Sequence, residues 1–317
     1  MKSSHMQGVI TALIADVIFG FSFMASKVAM EYCEPTVLLA TRFVLAVAAM
    51  SLAWGISAAG EKRGRRAPFV CRFRGKPVWR LAVLGVIHPA AYCLLENYGI
   101  LNTSSAVAGT ILAVVPVFCI LLDVLVLHTR VTLRQILCAV FSVGGVALIS
   151  AGGEVKTTAL GLLFLVLTMI TDGMYYFLSN RSSQYFSAFE ITYGMFAVAA
   201  IVMIPIVAVQ YAGRYALLLP AFTSGRYWLA ACYLGLVSSL LGYGLLNFAS
   251  SRLTVSETSL FSNVITVVSI LAGVFLLNEP FGLWQIVGVI VISVCVYIAN
   301  AAPKKKENES FSGGTFP

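Results

Sequence analysis

Charged residues are scarce in this chain of 317 residues. Asp, Glu, Lys and Arg together make up 11% of it, whereas 59% of the residues are hydrophobic. A soluble domain carries about 25% charged residues. This scarcity of charge, with a mean hydropathy of +0.91, excludes a soluble globular protein.

The sequence also lacks the signatures of several catalytic classes. It has three histidines, no H-E-x-x-H motif, no nucleophile elbow and no G-x-x-x-x-G-K-[ST] nucleotide loop. Its seven cysteines do not have the spacing of zinc ligands. We therefore predict no enzymatic activity, no catalytic residue, no metal and no cofactor. A membrane-embedded enzyme is the alternative from another functional class.

Long apolar segments take the place of the missing charge. About 20 helical residues cross a bilayer, and ten segments of this kind can be placed. They predict an all-α integral membrane protein with ten transmembrane helices at residues 8–30, 35–57, 79–100, 104–127, 132–151, 158–180, 187–210, 226–250, 254–277 and 282–301.

The basic residues predict the orientation of these helices. With the N-terminus inside, sixteen of the 21 lysines and arginines fall on the cytoplasmic side and four on the other side. This bias places both termini in the cytoplasm. The net charge of +8 lies mainly in the loop at 62–80 and in the segment 304–317, which we expect to be a disordered tail. Anionic lipid, not nucleic acid, is therefore the expected partner of this charge.

The chain contains a repeat. "LHTRVTLRQ" (127–135) matches "LNEPFGLWQ" (277–285) at an offset of 150, and nearer the N-terminus the offset becomes 153. Five spans in each half require the second copy to enter the membrane the opposite way round. We predict two inverted repeats, 1–151 and 152–303, a plan that recurs in secondary transporters. The matched pairs are Gly85 with Gly235, Asn97 with Asn247, Gly20 with Gly173, and Ser26 with Ser179.

Two segments resemble a known family. "EPTVLLATRFVLA" (34–46) is similar to the second helix, and "LLNEPFGLWQIVGVIVISVCVYIA" (276–299) to the junction of the last two helices, of EamA-type transporters in the drug/metabolite transporter superfamily. The resemblance covers about residues 8–301. It implies a carrier in the bacterial inner membrane that exports small metabolites or amino acids. The first repeat has His128-Thr129 where the second has Asn278-Glu279, so a role of the acidic position transfers to Glu279 alone.

All three aspartates of the chain fall inside predicted spans, and two of them suggest a site. Asp16 and Asp172 each lie about 12 Å from the cytoplasmic face, at 1.5 Å per helical residue. An ionisable residue inside the membrane is costly and should face the bundle interior. Our hypothesis is that both acids face a central cavity and bind a cationic group of the substrate or carry a coupling proton. The alternative is that they are structural carboxylates.

Arg42 and Glu96 lie at similar depth in the predicted outer half. We predict an ion pair or a shared site, with Arg42 alternatively binding a substrate carboxylate. His88 precedes Pro89, which predicts a kink in the third span, and a histidine there can take part in proton transfer.

Polar residues at helical spacing complete the candidate site. Tyr92 follows His88 in the third span, Tyr175 follows Asp172 in the sixth, and Tyr243 and Asn247 share a face of the eighth. Asn97 enters as the repeat counterpart of Asn247. Such stripes are typical of a water-accessible cavity, although hydroxyl groups also serve helix packing.

The sequence therefore predicts a secondary transporter that exports an amino acid or similar small polar metabolite by alternating access, proton-coupled or facilitated. An exchanger of phosphorylated or nucleotide-linked metabolites is the alternative within transport. We expect a small-molecule substrate and membrane lipid as partners. Whether the chain forms a homodimer is left open by the sequence.

Overall fold

The computed structural model describes residues 2–64, 69–119, 158–253, 255–278 and 282–300, with six isolated positions between 137 and 148. Every regular element in these residues is a helix. Numbered in chain order, the elements are α1 (Lys2–Ala29), α2 (Pro35–Glu61), α3 (79–101), α4 (Ser105–Leu112), α5 (Ala159–Ser182), α6 (Ala188–Gln210), α7 (Gly225–Ser250), α8 (255–276) and α9 (Leu283–Asn300). A short helix, Leu219–Thr223, precedes α7.

Six of these helices are long and apolar enough to cross a membrane: α1, α2, α5, α6, α7 and the Glu257–Leu276 part of α8. The prediction of a helical protein with many apolar spans is therefore confirmed for the described residues. Asp123, Glu279, most of the fifth predicted span and the tail 304–317 lie outside them.

Side-chain caps fix where several helices begin. The first N–H groups of a helix have no partner within it and need an acceptor, above all away from water. The hydroxyls of Ser104, Thr158 and Ser224 accept from the backbone N–H groups of Val107, Gly161 and Tyr227. Ser187 forms a capping box with Glu190 at the start of α6.

Three of the described helices contain π-helical segments: α8 ends in one at Ala272–Leu276, and α3 and α7 are interrupted at matching positions. In α3 the segment Val86–Ala91 is π-helical, and His88 leaves the helical region with φ −148° and ψ 115°. The kink predicted at His88–Pro89 is therefore confirmed. In α7 the segment Tyr233–Gly242 is π-helical and covers the positions 150 residues after Val86–Ala91. π-helical turns occur frequently at functional sites.

Glycines let the helices approach closely, and equivalent glycines make equivalent contacts. A Cβ on Gly85 would lie 2.7 Å from the carbonyl oxygen of Met195, and one on Gly235 would lie 3.1 Å from that of Arg42. Met195 and Arg42 are 153 residues apart, the offset of the repeat. Each pair therefore joins an interrupted helix to α6 or α2 in the same way.

The helix ends fall at two opposite ends of the bundle. The last turns of α5 and α7 meet, because Asn180 Nδ2 donates to the carbonyl of Ser250 at 2.9 Å, and Gly8 of α1 packs against Leu253 at that same end. We call it the 183–187 end after its loop. The last turn of α3 instead meets the start of α5, where Gly161 packs on Asn102. Helices α1 and α3 therefore run one way and α5 and α7 the other, so α1 and α3 finish at the opposite end, the 30–34 end.

A buried acid anchors the basic loop that follows α2. Glu190 accepts from Lys76 Nζ at 2.7 Å and from the backbone N–H of Arg72 at 2.7 Å. Arg72 also pairs with Glu61 at the end of α2. Cys71 is buried in this loop, and burial, with the nearby carboxylate of Glu190, raises the pKa of its thiol to about 12. The loop is thus held against α6.

The close approach at the glycines predicts a stability difference between two glycine positions. Gly85→Ala should cost about 1–3 kcal/mol, because the added methyl group meets the Met195 carbonyl and the Val198 side chain. Gly55→Ala in α2 is the matched control, because nothing lies within 4 Å of its Cβ position. Thermal unfolding of both variants in detergent would test this. Equal melting temperatures would contradict the packing described.

Candidate functional site

A small cavity of about 20 Å³ lies inside the bundle, with room for about one water molecule. Six helices contribute to its wall, and α3 and α7 do so next to their π-helical segments. It is lined by Phe19, Ser22 and Phe23 of α1, Arg42 of α2, Tyr92 and Glu96 of α3, Asp172 and Tyr176 of α5, Tyr243 and Leu246 of α7, and Ile265 of α8. The wall therefore combines one cation, two carboxylates and several aromatic rings.

Arg42 is held by the interrupted part of α7. Its Nε donates to Ser239 Oγ at 2.8 Å and its Nη2 to Ser238 Oγ at 3.0 Å, and the side chain is only 2% exposed. A guanidinium has five N–H donors, so these two bonds orient the group and leave donors for a ligand. The serines are neutral, so the charge of Arg42 is not cancelled by them.

Glu96 has a partner on its own helix. The Tyr92 hydroxyl donates to Glu96 Oε1 at 2.7 Å. Among the described residues, Arg42 and Glu96 form no direct salt bridge, because each has a neutral hydrogen-bond partner. The similar depth of Arg42 and Glu96 in the membrane did not reveal that two serines of α7 bind the guanidinium. The other form of the sequence prediction, a shared site, matches the geometry, because both side chains line the cavity.

Asp172 meets His88 at the break in α3. His88 Nε2 lies 3.5 Å from Asp172 Oδ1 and 3.4 Å from the hydroxyl of Tyr243. The imidazole ring packs between Tyr92 and Tyr175, with ring centroids 4.1 Å and 4.4 Å away. Within the described ranges, His88 Nδ1 has no hydrogen-bond partner. The histidine lies behind the cavity wall and contacts the carboxylate that forms part of it.

Asp16 is fully buried, and neither of its carboxylate oxygens has a hydrogen-bond partner among the described residues. It does not point at lipid, as expected. It is not, however, among the described residues that line the cavity, contrary to our expectation that it faces the cavity as Asp172 does. Helical periodicity could place it on the inner face of α1 but could not show that Phe19, one turn later, would line the cavity there.

The remaining candidates support the wall from outside the cavity. Asn247 accepts from the hydroxyls of Tyr175 at 2.9 Å and Ser179 at 2.6 Å and donates to Thr192 at 2.9 Å, tying α7 to α5 and α6. Asn97 donates to the Cys93 carbonyl of its own helix, and its Oδ1 has no partner among the residues that the structure describes. Neither asparagine is exposed.

The aromatic part of the wall was missed on α1, although the repeat carried a signal for it. At the offset of 153, Phe19 corresponds to Asp172 and Phe23 to Tyr176, and all four line the cavity. Applying the repeat to Asp172 would have found Phe19. Phe23 would have required Tyr176, which was not among the candidate residues. Ile265 had no such signal, because nothing distinguishes it from the other apolar residues of its helix.

Comparison with known proteins gives one family. A profile of the EamA-like transporter family matches residues 6–151 and again 159–301. An uncharacterized transporter of Bacillus subtilis, YcxC, is 30% identical over 315 residues and covers 96% of each chain. A probable terminal-alkyne amino-acid exporter of Streptantibioticus cattleyicolor is 25% identical over 251 residues, 78% of each chain.

A solved crystal structure has the same fold. It aligns with a TM-score of 0.65 at 17% sequence identity and covers 94% of this chain and 96% of its own. At this identity the match bears on the fold alone. The relatives and the apolar helices together make the chain a multi-pass membrane protein.

The difference between Asp16 and Asn247 predicts opposite effects on stability. Asp16→Leu should raise the thermal stability, because it replaces a buried carboxyl group that has no partner. Asn247→Leu, at an equally buried position, should lower it by about 1–3 kcal/mol, because Thr192 and Ser179 lose their partner. Melting curves of the two purified variants test the contrast. Destabilisation by Asp16→Leu as large as that by Asn247→Leu would show that Asp16 has structural partners.

Proposed function

The chain belongs to the EamA-like transporter family, and we propose that it is a secondary active transporter that exports an amino acid by alternating access. The observation that carries this proposal is the cavity wall, where Arg42 occurs together with Asp172 and Glu96. A zwitterion has one group for each sign of charge. The substrate we propose is therefore an α-amino acid with an uncharged side chain.

Each pole of such a substrate has a counterpart in the wall. The remaining Arg42 donors suit a carboxylate, which a guanidinium binds in bidentate fashion. The carboxylates of Asp172 and Glu96 suit an ammonium group. Phe19, Phe23, Tyr176 and Leu246 offer an apolar surface for the side chain. The relative named as an amino-acid exporter is consistent with this assignment.

Alternating access requires two halves that can exchange roles, and we propose the ten-helix architecture of two inverted repeats, 1–151 and 152–303. Three observations support it. The glycine contacts occur twice, the π-helical segments of α3 and α7 match at the repeat offset, and α1 and α5 run in opposite directions. Near the 183–187 end, Arg72 and Lys76 contact Glu190, and Arg80 lies over the ring of Tyr185. Arg181 lies in the last turn of α5, and Arg252 follows the end of α7. This gathering of basic residues supports a cytoplasmic location for that end.

The two alternatives find less support. A phosphorylated substrate requires several cations, and Arg42 is the single cation among the described lining residues. The comparisons give no support to a membrane-embedded enzyme, because the relatives are named as transporters.

The zwitterion assignment predicts a loss of transport when Arg42 changes. Arg42→Lys keeps the charge but loses the bidentate geometry, so uptake of labelled amino acids into proteoliposomes should fall about 10-fold or more, as expected for a charge-assisted hydrogen bond. Glu61→Gln, at the exposed end of α2, is the control and should transport normally. Amines that lack the carboxylate should compete poorly with wild-type transport. Full activity of Arg42→Lys, or equal competition by the decarboxylated analogues, would refute the assignment.

We further propose that the coupling ion is a proton held by Asp172 with His88, with Asp16 as a nearby acceptor. Buried carboxyl groups with few partners are stable only when neutral, and the His88–Asp172 contact joins such a group to the cavity. Asp172→Asn leaves Glu96 to bind the ammonium group, so the variant should still exchange labelled for unlabelled amino acid, with weaker binding, but should no longer be driven by a pH gradient. The measurement compares counterflow with gradient-driven transport in the same liposomes. Unchanged pH dependence in Asp172→Asn and Asp16→Asn would remove both acids from the coupling step.

A further inference from the structure

The repeat contains a pair of residues that is hydrogen-bonded in one copy. Ser179 of α5 and Asn247 of α7 are both fully buried, and Ser179 Oγ donates to Asn247 Oδ1 at 2.6 Å. Their counterparts in the first copy are Ser26 of α1 and Asn97 of α3, at offsets of 153 and 150. The first copy thus has the same donor and the same acceptor on the two corresponding helices.

In the first copy this hydrogen bond is not formed. Ser26 Oγ and Asn97 Oδ1 are both buried and have no hydrogen-bond partner in the part of the chain that the structure describes. A buried polar group without a partner is unfavourable, and native proteins leave few of them. Helices α1 and α3 nevertheless contact each other. Ser26 can donate a hydrogen bond and Asn97 Oδ1 can accept one. The two groups lie on helices that touch, so they are chemically suited to bond to each other.

The two pairs lie at opposite ends of the bundle. Ser179 and Asn247 occupy the last turns of α5 and α7, at the 183–187 end. Ser26 and Asn97 occupy the last turns of α1 and α3, at the 30–34 end. A rearrangement that exchanges the roles of the two copies would therefore break the bond at one end and form it at the other.

We propose that a hydrogen bond between Ser26 and Asn97 forms when the Ser179–Asn247 hydrogen bond breaks. We call the Ser179–Asn247 pair the first latch and the Ser26–Asn97 pair the second latch. This inference rests on the alternating-access part of the proposed function. The structure holds the state in which the 183–187 end is latched. At the 30–34 end, the unpaired Ser26 Oγ and Asn97 Oδ1 make this state less stable. In the opposite state they form a hydrogen bond with each other.

The two latches differ in strength. Asn247 is also bound by Tyr175 and Thr192, whereas the repeat counterparts of these residues are Ser22, which donates to the Ile18 carbonyl of its own helix, and Leu39. The second latch therefore has one hydrogen bond where the first has three. The state described here should be the more populated one in the absence of a gradient.

Cysteine pairs can report each latch. One protein carries Ser26→Cys with Asn97→Cys, and another carries Ser179→Cys with Asn247→Cys. Both also carry Cys93→Ala, because Cys93 lies one turn from position 97. A short bifunctional methanethiosulfonate bridges neighbouring thiols without the strict geometry of a disulfide. Protease sites inserted after Gly64 and Gly213, in exposed loops, separate the fragments unless they are cross-linked.

The decisive measurement adds one substitution at the opposite latch and needs no substrate. Introducing Ser179→Ala should raise the cross-linking rate of the 26/97 pair about 3–10-fold, because the competing state loses one hydrogen bond. Introducing Ser26→Ala should raise the rate of the 179/247 pair. Ser51→Ala, in an exposed part of α2, is the control and should change neither rate.

Two outcomes would overturn the proposal. One is a 26/97 rate that does not respond to Ser179→Ala. The other is a protein with all four cysteines in which both pairs cross-link in the same molecule. Neither outcome depends on the transported compound. If the two pairs cross-link reciprocally but amino acids are not transported, only the proposed substrate is contradicted.

Discussion

The structure depends on the cost of placing charge inside a membrane protein. Moving an ionised side chain to the centre of a bilayer costs about 2.5–3.5 kcal/mol on insertion scales, so such a group must find partners or water within the protein. Arg42, Glu96 and Asp172 meet this constraint together, because all three are buried and line one cavity. The cavity is the part of the bundle where opposite charges on different helices can compensate one another.

Close helix packing brings these residues together. Gly85 and Gly235 let α3 and α7 touch the backbones of α6 and α2, and both interrupted helices lie next to the cavity. The break in α3 turns His88 toward Asp172, and the π-helical segment of α7 supplies the serines that hold Arg42. Irregular backbone inside a membrane is tolerated where protein or a cavity covers it. The two interruptions are thus both a structural cost and the means by which the site is built.

Much of the fold could be predicted because bilayer thickness and hydrophobic periodicity act locally. The span boundaries near residues 101–105 and 250–255 and the kink at His88 follow from such local rules. The hydrogen-bond partners of Arg42 show the limit of these rules. Helix depth suggested Glu96 for Arg42, but the partners are Ser238 and Ser239, almost 200 residues away in sequence. Which neighbour a buried charge meets depends on helix rotation and packing, which periodicity does not specify. Asp16 was correctly placed in the interior for the same local reason, but its position behind the cavity wall depends on the packing of α1.

The central claim is that the charged residues border a chamber reached by water and not a dry seam between helices. Cysteine labelling in membrane vesicles with a water-soluble maleimide tests it directly, using Ser22→Cys in the cavity wall and Leu52→Cys, whose native side chain is 66% exposed on the outside of α2. The account predicts that position 22 reacts from one side of the membrane, and that position 52 stays unlabelled because lipid covers it. Labelling at position 52 with none at position 22 would contradict the account.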